Sequence, residues 1–217
     1  MKITSYFSPN YSKKPRPKKN IQLVIIHYTG MQSEIESLKR LMDPQYKVSS
    51  HYFINRKGEI IQMVKDQNIA WHAGKSKWKK FKNLNKYSIG IELVNKGHQF
   101  GYQNFSNKQI SSLIKLCKKL KKKYAIKKEN FLGHSDIAPL RKTDPGEKFP
   151  WKKLGRLNIG KWYVKYHSKI NVNPKKMEGL FFKNLQKFGF RYFTSNKKKF
   201  NKKMLVKAFQ RHFLPNY

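Results

Sequence analysis

Residues 21–27 read Ile21-Gln22-Leu23-Val24-Ile25-Ile26-His27, and this run constrains the fold more tightly than any other stretch. Consecutive, mostly β-branched aliphatic residues in a run too short for a helix mark a strand buried on both faces, as in sheets covered by helices. Thr29 and Gly30 end the run in a turn. His27 therefore stands at the carboxyl end of a strand, where α/β sheets present functional groups.

The segments that follow fit the same architecture. Ser33 with Glu36 three residues later has the form of a capping box, and Ile35, Leu38, Leu41 and Met42 continue at helical spacing until Asp43-Pro44 stops the helix. His51–Asn55 and Glu59–Val64 flank Arg56-Lys57-Gly58, the signature of a hairpin. Residues 70–85 look irregular, and Ser88–Asn95 then reads as a further strand with Glu92 inside it. Ser106 and Gln109 open a second helix that closes near Tyr124. Asn130–Leu132 reads as a last short strand before a long polar loop over 133–150. Two further helical periodicities follow, one opened by Asn173-Pro174 and one entered from Asn201. The predicted fold is α/β, a mixed central β-sheet flanked by helices, plus a small C-terminal α-helical domain. Its expected divisions are a basic N-terminal arm over 1–20, a main domain over 21–159 and the helical domain over 160–217.

Composition narrows the class. The chain has 217 residues, with Lys+Arg 49 against Asp+Glu 11 and a formal net charge of +38, yet 38% of it is hydrophobic, enough for a packed core. Only seven of the basic residues are arginines, whereas proteins that read bases or phosphates bidentately favour arginine. No motif of a known nucleic-acid fold is present, so no specific nucleic-acid partner is expected. A single cysteine, Cys117, excludes an intramolecular disulfide and cysteine-rich structural zinc. No apolar run approaches the roughly 20 residues of a membrane span, and residues 1–20 lack the apolar stretch of an export signal, so the expected location is cytoplasmic, with delivery outside by another route as the alternative. The expected state is monomeric.

Three residues suggest chemistry. His27 closes the first strand, His134 follows the last apolar stretch, and Asp144 lies ten residues further on. Two imidazoles and one carboxylate make a catalytic zinc set, which keeps a fourth position open for water. Chance pairs among seven histidines leave the spacing alone insufficient.

His27-Tyr28-Thr29-Gly30, Ser50-His51-Tyr52, Trp71-His72-Ala73-Gly74, Ser88-Ile89-Gly90-Ile91-Glu92-Leu93, Gly133-His134-Ser135-Asp136-Ile137-Ala138-Pro139 and Arg141-Lys142-Thr143-Asp144-Pro145-Gly146 occur in that order. Together they closely resemble the zinc-dependent N-acetylmuramoyl-L-alanine amidases of type 2, over roughly residues 21–151. Related phage amidases and peptidoglycan recognition proteins commonly carry cysteine at the third ligand position. Asp144 there points to the bacterial muropeptide-amidase branch.

The resemblance implies hydrolysis of the amide between N-acetylmuramic acid and L-alanine in peptidoglycan or muropeptides. It implies Zn2+ on His27, His134 and Asp144, Glu92 as the proton-transferring carboxylate, and Lys142 facing the developing oxyanion. Trp71, His72 and His51 are expected to line or support the substrate groove. The C-terminal segment, with Phe188-Gly189-Phe190, is similar to small helical peptidoglycan-binding domains; completion of the hydrophobic core is the alternative. Against the enzyme stand a non-catalytic peptidoglycan-recognition module, which predicts a missing ligand or base, and a basic nucleic-acid-binding protein.

Overall fold

The computed structural model describes residues 2–164, 173–193 and 198–215. The chain opens with β1 (Ile3–Ser5) and β2 (Tyr11–Ser12) before entering β3 (Leu23–Tyr28), the strand expected from the aliphatic run. Helix α1 (Glu34–Met42) follows, with the Ser33–Glu36 capping box closed in both directions. Strands β4 (Tyr52–Ile54) and β5 (Ile60–Gln62) form the antiparallel hairpin. Its turn holds Gly58 at φ +85°, and a Cβ there would meet the Lys108 carbonyl carbon and oxygen at 2.9 and 2.7 Å.

The stretch over 70–85 is less irregular than the sequence indicates. It contains β6 (Ile69–Ala70), β7 (Lys77–Trp78) and β8 (Phe81–Lys82), each too short to show a period. Then come β9 (Ser88–Leu93), α2 (Asn107–Tyr124) and β10 (Phe131–Gly133). The polar segment read as a loop begins instead with one turn of helix, α3 (His134–Ile137), and α4 (Trp151–Arg156) follows it. Helix α5 spans Pro174–Phe188, and α6 (Lys198–Phe213) starts ahead of the entry read at Asn201.

Six strands make one sheet in the order β1-β5-β4-β9-β3-β10, parallel except for the β4–β5 hairpin. Side-chain alternation then sorts its two faces. Val24 and Ile26 of β3 and Ile89, Ile91 and Leu93 of β9 join Ile110, Leu113 and Leu116 of α2 in one core cluster. Leu23 and Ile25 turn the other way and pack with Leu132, Trp78, Leu185 and Leu205. Helices α5 and α6 thus share a core with β3 and β10. By the same alternation His27, Ser88, Gly90 and Glu92 lie on this second face.

Residues 2–20 are held to the sheet chiefly by polar contacts, which apolar periodicity cannot reveal. β1 adds a parallel edge beside β5, and β2 pairs with β6. Ser8 Oγ donates to the Leu41 carbonyl at 2.6 Å, and Asn10 Nδ2 donates to the Asp43 and Val48 carbonyls at 2.9 Å each. Arg16 is buried, donating to the carbonyls of Asp66, Asn85 and Ser88. Burial lowers its guanidinium to about 10, although Asp66 and Tyr124 act in the opposite direction. No helix among the described residues is long and apolar enough to cross a membrane.

Candidate functional site

Parallel pairing assembles the site. β3 and β10 are in register at Ile26 and Gly133, so the residues that follow each, His27 and His134, emerge side by side. β3 and β9 are in register at His27 and Glu92, which places both on the same sheet face. Asp144 comes from the segment after α3, pinned where the Ser135 amide donates to the Asp144 carbonyl at 2.9 Å.

His27 Nδ1, His134 Nδ1 and Asp144 Oδ2 converge. The two nitrogens are 3.0 Å apart, and Asp144 Oδ2 lies 2.9 Å from His27 Nδ1 and 3.1 Å from His134 Nδ1. All three residues are buried, and among the described residues they form the one group of histidine, cysteine and carboxylate side chains placed to hold a metal ion. Each ring spends its other nitrogen elsewhere: His27 Nε2 meets His72 Nδ1 at 3.0 Å, and His134 Nε2 meets the Ala73 carbonyl at 3.2 Å. Three lone-pair atoms facing one another repel unless a cation stands among them, so this donor set fits a metal ion. Burial, reinforced by His134, lowers His27 to about 4. Burial pushes the Asp144 carboxyl upward, but His134 and His27 more than reverse this and hold it far below the usual carboxylate range.

Glu92 is half-buried, but its Oε2 is sealed and lacks a hydrogen-bond partner among the described residues. Burial pushes its carboxyl up to about 8, Asp144 adds to the rise and Lys142 opposes it. A cation bound beside it would reverse the direction and favour the carboxylate. Lys142 is half-buried and lines the same cleft, which has a volume of about 610 Å3.

The three expected groove residues separate. Trp71 lines the cleft and donates from Nε1 to Ser12 Oγ at 3.1 Å. His72 lines the cleft but is engaged with His27 on one side and Ser88 Oγ on the other. His51 does not reach the cleft, and this corrects the groove assignment. It has no exposed surface, its Nδ1 accepts from the Gly90 amide at 3.0 Å and its Nε2 lies 3.1 Å from the Asn68 carbonyl. Burial and the nearby Arg16 charge lower it to about 3, so it is a neutral internal strut.

Sequence reasoning missed the groups that hold the site from behind. Arg141, next to Lys142, donates to the carbonyls of Ala73 and Lys75. His212 of α6 reaches Asp136, two residues from His134. Asn85 accepts from the amides of His72 and Ala73. None of these belongs to a periodic pattern.

A profile of the N-acetylmuramoyl-L-alanine amidases matches residues 17–147. N-acetylmuramoyl-L-alanine amidase AmiD of Escherichia coli K12 is 44% identical over 154 residues, covering 65% of this chain and 55% of AmiD. The alignment thus spans about half the length of that relative. The solved complex of E. coli AmiD with anhydro-N-acetylmuramic acid-L-Ala-D-gamma-Glu-L-Lys superposes with a TM-score of 0.77 at 33% identity, covering 96% of this chain and 86% of that one. AmpDh3 of Pseudomonas aeruginosa, solved with an anhydromuramic pentapeptide, gives a TM-score of 0.81 at 29% identity, covering 96% and 89%.

Proposed function

The chain belongs to the N-acetylmuramoyl-L-alanine amidase family, and from that premise we propose that it hydrolyses the amide joining the lactyl group of N-acetylmuramic acid to L-alanine, with zinc at His27, His134 and Asp144. The observation that carries this reading is the convergence of His27 Nδ1, His134 Nδ1 and Asp144 Oδ2 within 3.1 Å, on the sheet face that also carries Glu92. The substrate class favoured is a peptidoglycan fragment, since the AmiD and AmpDh3 complexes both hold anhydromuramic peptides.

A zinc ion with three protein ligands supplies a Lewis acid that acidifies water and polarises an amide carbonyl. The protein's groups do the rest. Glu92 accepts the proton of the attacking water and delivers a proton to the departing alanine nitrogen, a role that suits a carboxylate lining the cleft with one oxygen that has no hydrogen-bond partner among the described residues. Lys142 brings positive charge to the cleft where the carbonyl oxygen becomes anionic. Its neighbour Arg141 is instead committed to the Ala73 and Lys75 carbonyls. The complete set of base, cation and ligand atoms disfavours a purely recognising module.

The test is incubation with soluble anhydromuropeptides and, separately, with insoluble peptidoglycan, each with zinc and with a chelator, followed by chromatography of the products. Release of stem peptides in the zinc arms alone supports the reading, and the faster arm identifies fragment or polymer. No release from either substrate by zinc-loaded protein overturns it.

A further inference from the structure

Both metal-facing histidines are tied from behind to one three-residue segment, Trp71-His72-Ala73. The chain of hydrogen bonds has a direction. Ser88 Oγ donates its proton to the Leu84 carbonyl at 2.7 Å, so toward His72 Nε2, 3.2 Å away, it can only accept. His72 therefore carries its proton on Nε2 and offers Nδ1 as acceptor. His27 Nε2, 3.0 Å from that atom, must be the donor, which leaves His27 Nδ1 a bare lone pair. The Ala73 carbonyl, which can only accept, does the same for His134: Arg141 Nη2, 3.3 Å from His134 Nε2, spends its two protons on the Ala73 and Lys75 carbonyls, so Nε2 is protonated and Nδ1 is free. In a histidine ligand the hydrogen bond made by one nitrogen decides which nitrogen is available to a metal.

Asn85 holds the segment. Its Oδ1 accepts from the His72 amide at 3.1 Å and from the Ala73 amide at 2.7 Å. Its own carbonyl is anchored by Arg16 Nη1 at 2.8 Å. The His72 ring lies flush on β9, where a Cβ at Gly90 would stand 2.4 Å from His72 Cγ. We propose that Asn85 and Ser88 are positioning residues: through His72 and Ala73 they fix both His27 and His134 as Nε2–H tautomers and so present the two Nδ1 atoms to the metal. The inference rests on the reading of His27, His134 and Asp144 as zinc ligands.

The experiment reads tautomers and zinc affinity separately. Long-range proton–nitrogen spectra should show His72 as the Nε2–H form in the full-length metal-free protein, and His27 and His134 as Nε2–H forms in the zinc-loaded protein. Ser88→Ala, nearly isosteric, should blur the assignment of His72 and His27 and weaken zinc binding by about 10- to 100-fold in competition with a chromophoric chelator. Asn85→Ala should weaken it similarly, and Asn85→Asp, which keeps the acceptor oxygen, should restore most of the loss. If Asn85→Ala fails to fold, Ser88→Ala carries the test. An Nδ1–H form of His72 in the metal-free wild type, an Nδ1–H form of His27 or His134 in the zinc-loaded wild type, or wild-type zinc affinity in Ser88→Ala overturns the inference. The expected His72 tautomer in a protein that binds no zinc would uphold the positioning and overturn the zinc reading instead.

Discussion

His212, near the end of α6, places its Nδ1 2.8 Å from Asp136 Oδ2, and the same oxygen accepts the Gly133 amide at 2.8 Å. Asp136 lies in α3, the single turn that begins with His134. The imidazole is stacked on Trp151, with ring centroids 4.0 Å apart at 11°, and on Phe213, 4.1 Å apart at 16°. The C-terminal helix is thus part of the foundation of the metal-facing turn.

His212→Ala should cost roughly 3 kcal/mol of stability, because it removes a buried donor from a carboxylate and leaves a ring-sized void against Trp151. Urea denaturation of the metal-free protein measures this as a lowered midpoint. An unchanged midpoint would mean that α6 is not coupled to the turn.

Glu92→Gln should lower kcat by about 100- to 10,000-fold, the usual contribution of general acid–base catalysis, while zinc content stays at the wild-type level. Lys142→Met should cost about 100- to 1,000-fold in kcat, as loss of an oxyanion-stabilising group does. Metal analysis alongside turnover separates both from loss of the ion. Wild-type turnover in Glu92→Gln would remove Glu92 from proton transfer.

In the metal-free protein Glu92 should contribute stability that is lost as pH rises from about 4.5 to about 8, while His27 and His51, lowered to about 4 and about 3, act in the opposite direction. Burial, with Asp144 adding and Lys142 opposing, raises Glu92 from 4.5 to about 8 in the folded chain. Its stabilising contribution is therefore full below 4.5 and lost as pH rises through about 8, because the unfolded chain has by then released a proton that the folded chain retains. The Tm gain of Glu92→Gln over wild type should be larger at about pH 8 than at about pH 5. A gain that does not change with pH would contradict this account.

Gly189→Ala should destabilise the packing of α5 on the sheet. Gly189 has φ +150°, and a Cβ there would stand 2.5 Å from two ring carbons of the fully buried Trp78. Overpacking of this kind costs about 1–3 kcal/mol, so calorimetry should show a Tm several degrees lower. An unchanged Tm would mean that the Trp78 ring yields freely.

What the sequence disclosed followed from local rules. The aliphatic run, the Ser33–Glu36 box, the Gly58 turn and the Ser106 cap each act within a few residues, and β3, α1, the β4–β5 hairpin and α2 lie where those signals placed them. Two-residue strands such as β6 and single turns such as α3 are made by tertiary contacts and have no period. His27 and Asp144 stand 117 residues apart in sequence. Their association was legible only through the ordered motifs; the β3–β10 register brings His134 beside His27, and the Ser135 amide on the Asp144 carbonyl ties Asp144 to the same turn. Asn85 and Arg16 escaped notice because they work through backbone carbonyls and amides, which composition does not expose. His51 lay inside a matching motif and still proved internal, since a motif does not state which way a side chain faces.

The most direct test of the central claim is mass spectrometry of a muropeptide digested in oxygen-18 water by the zinc-loaded protein. The account predicts stem peptides with a free L-alanine amino group and one heavy oxygen in the lactyl carboxylate of the muramic acid, all abolished by a chelator. Intact muropeptide after incubation with folded, zinc-loaded protein, or heavy oxygen in a peptide carboxylate instead, would contradict it.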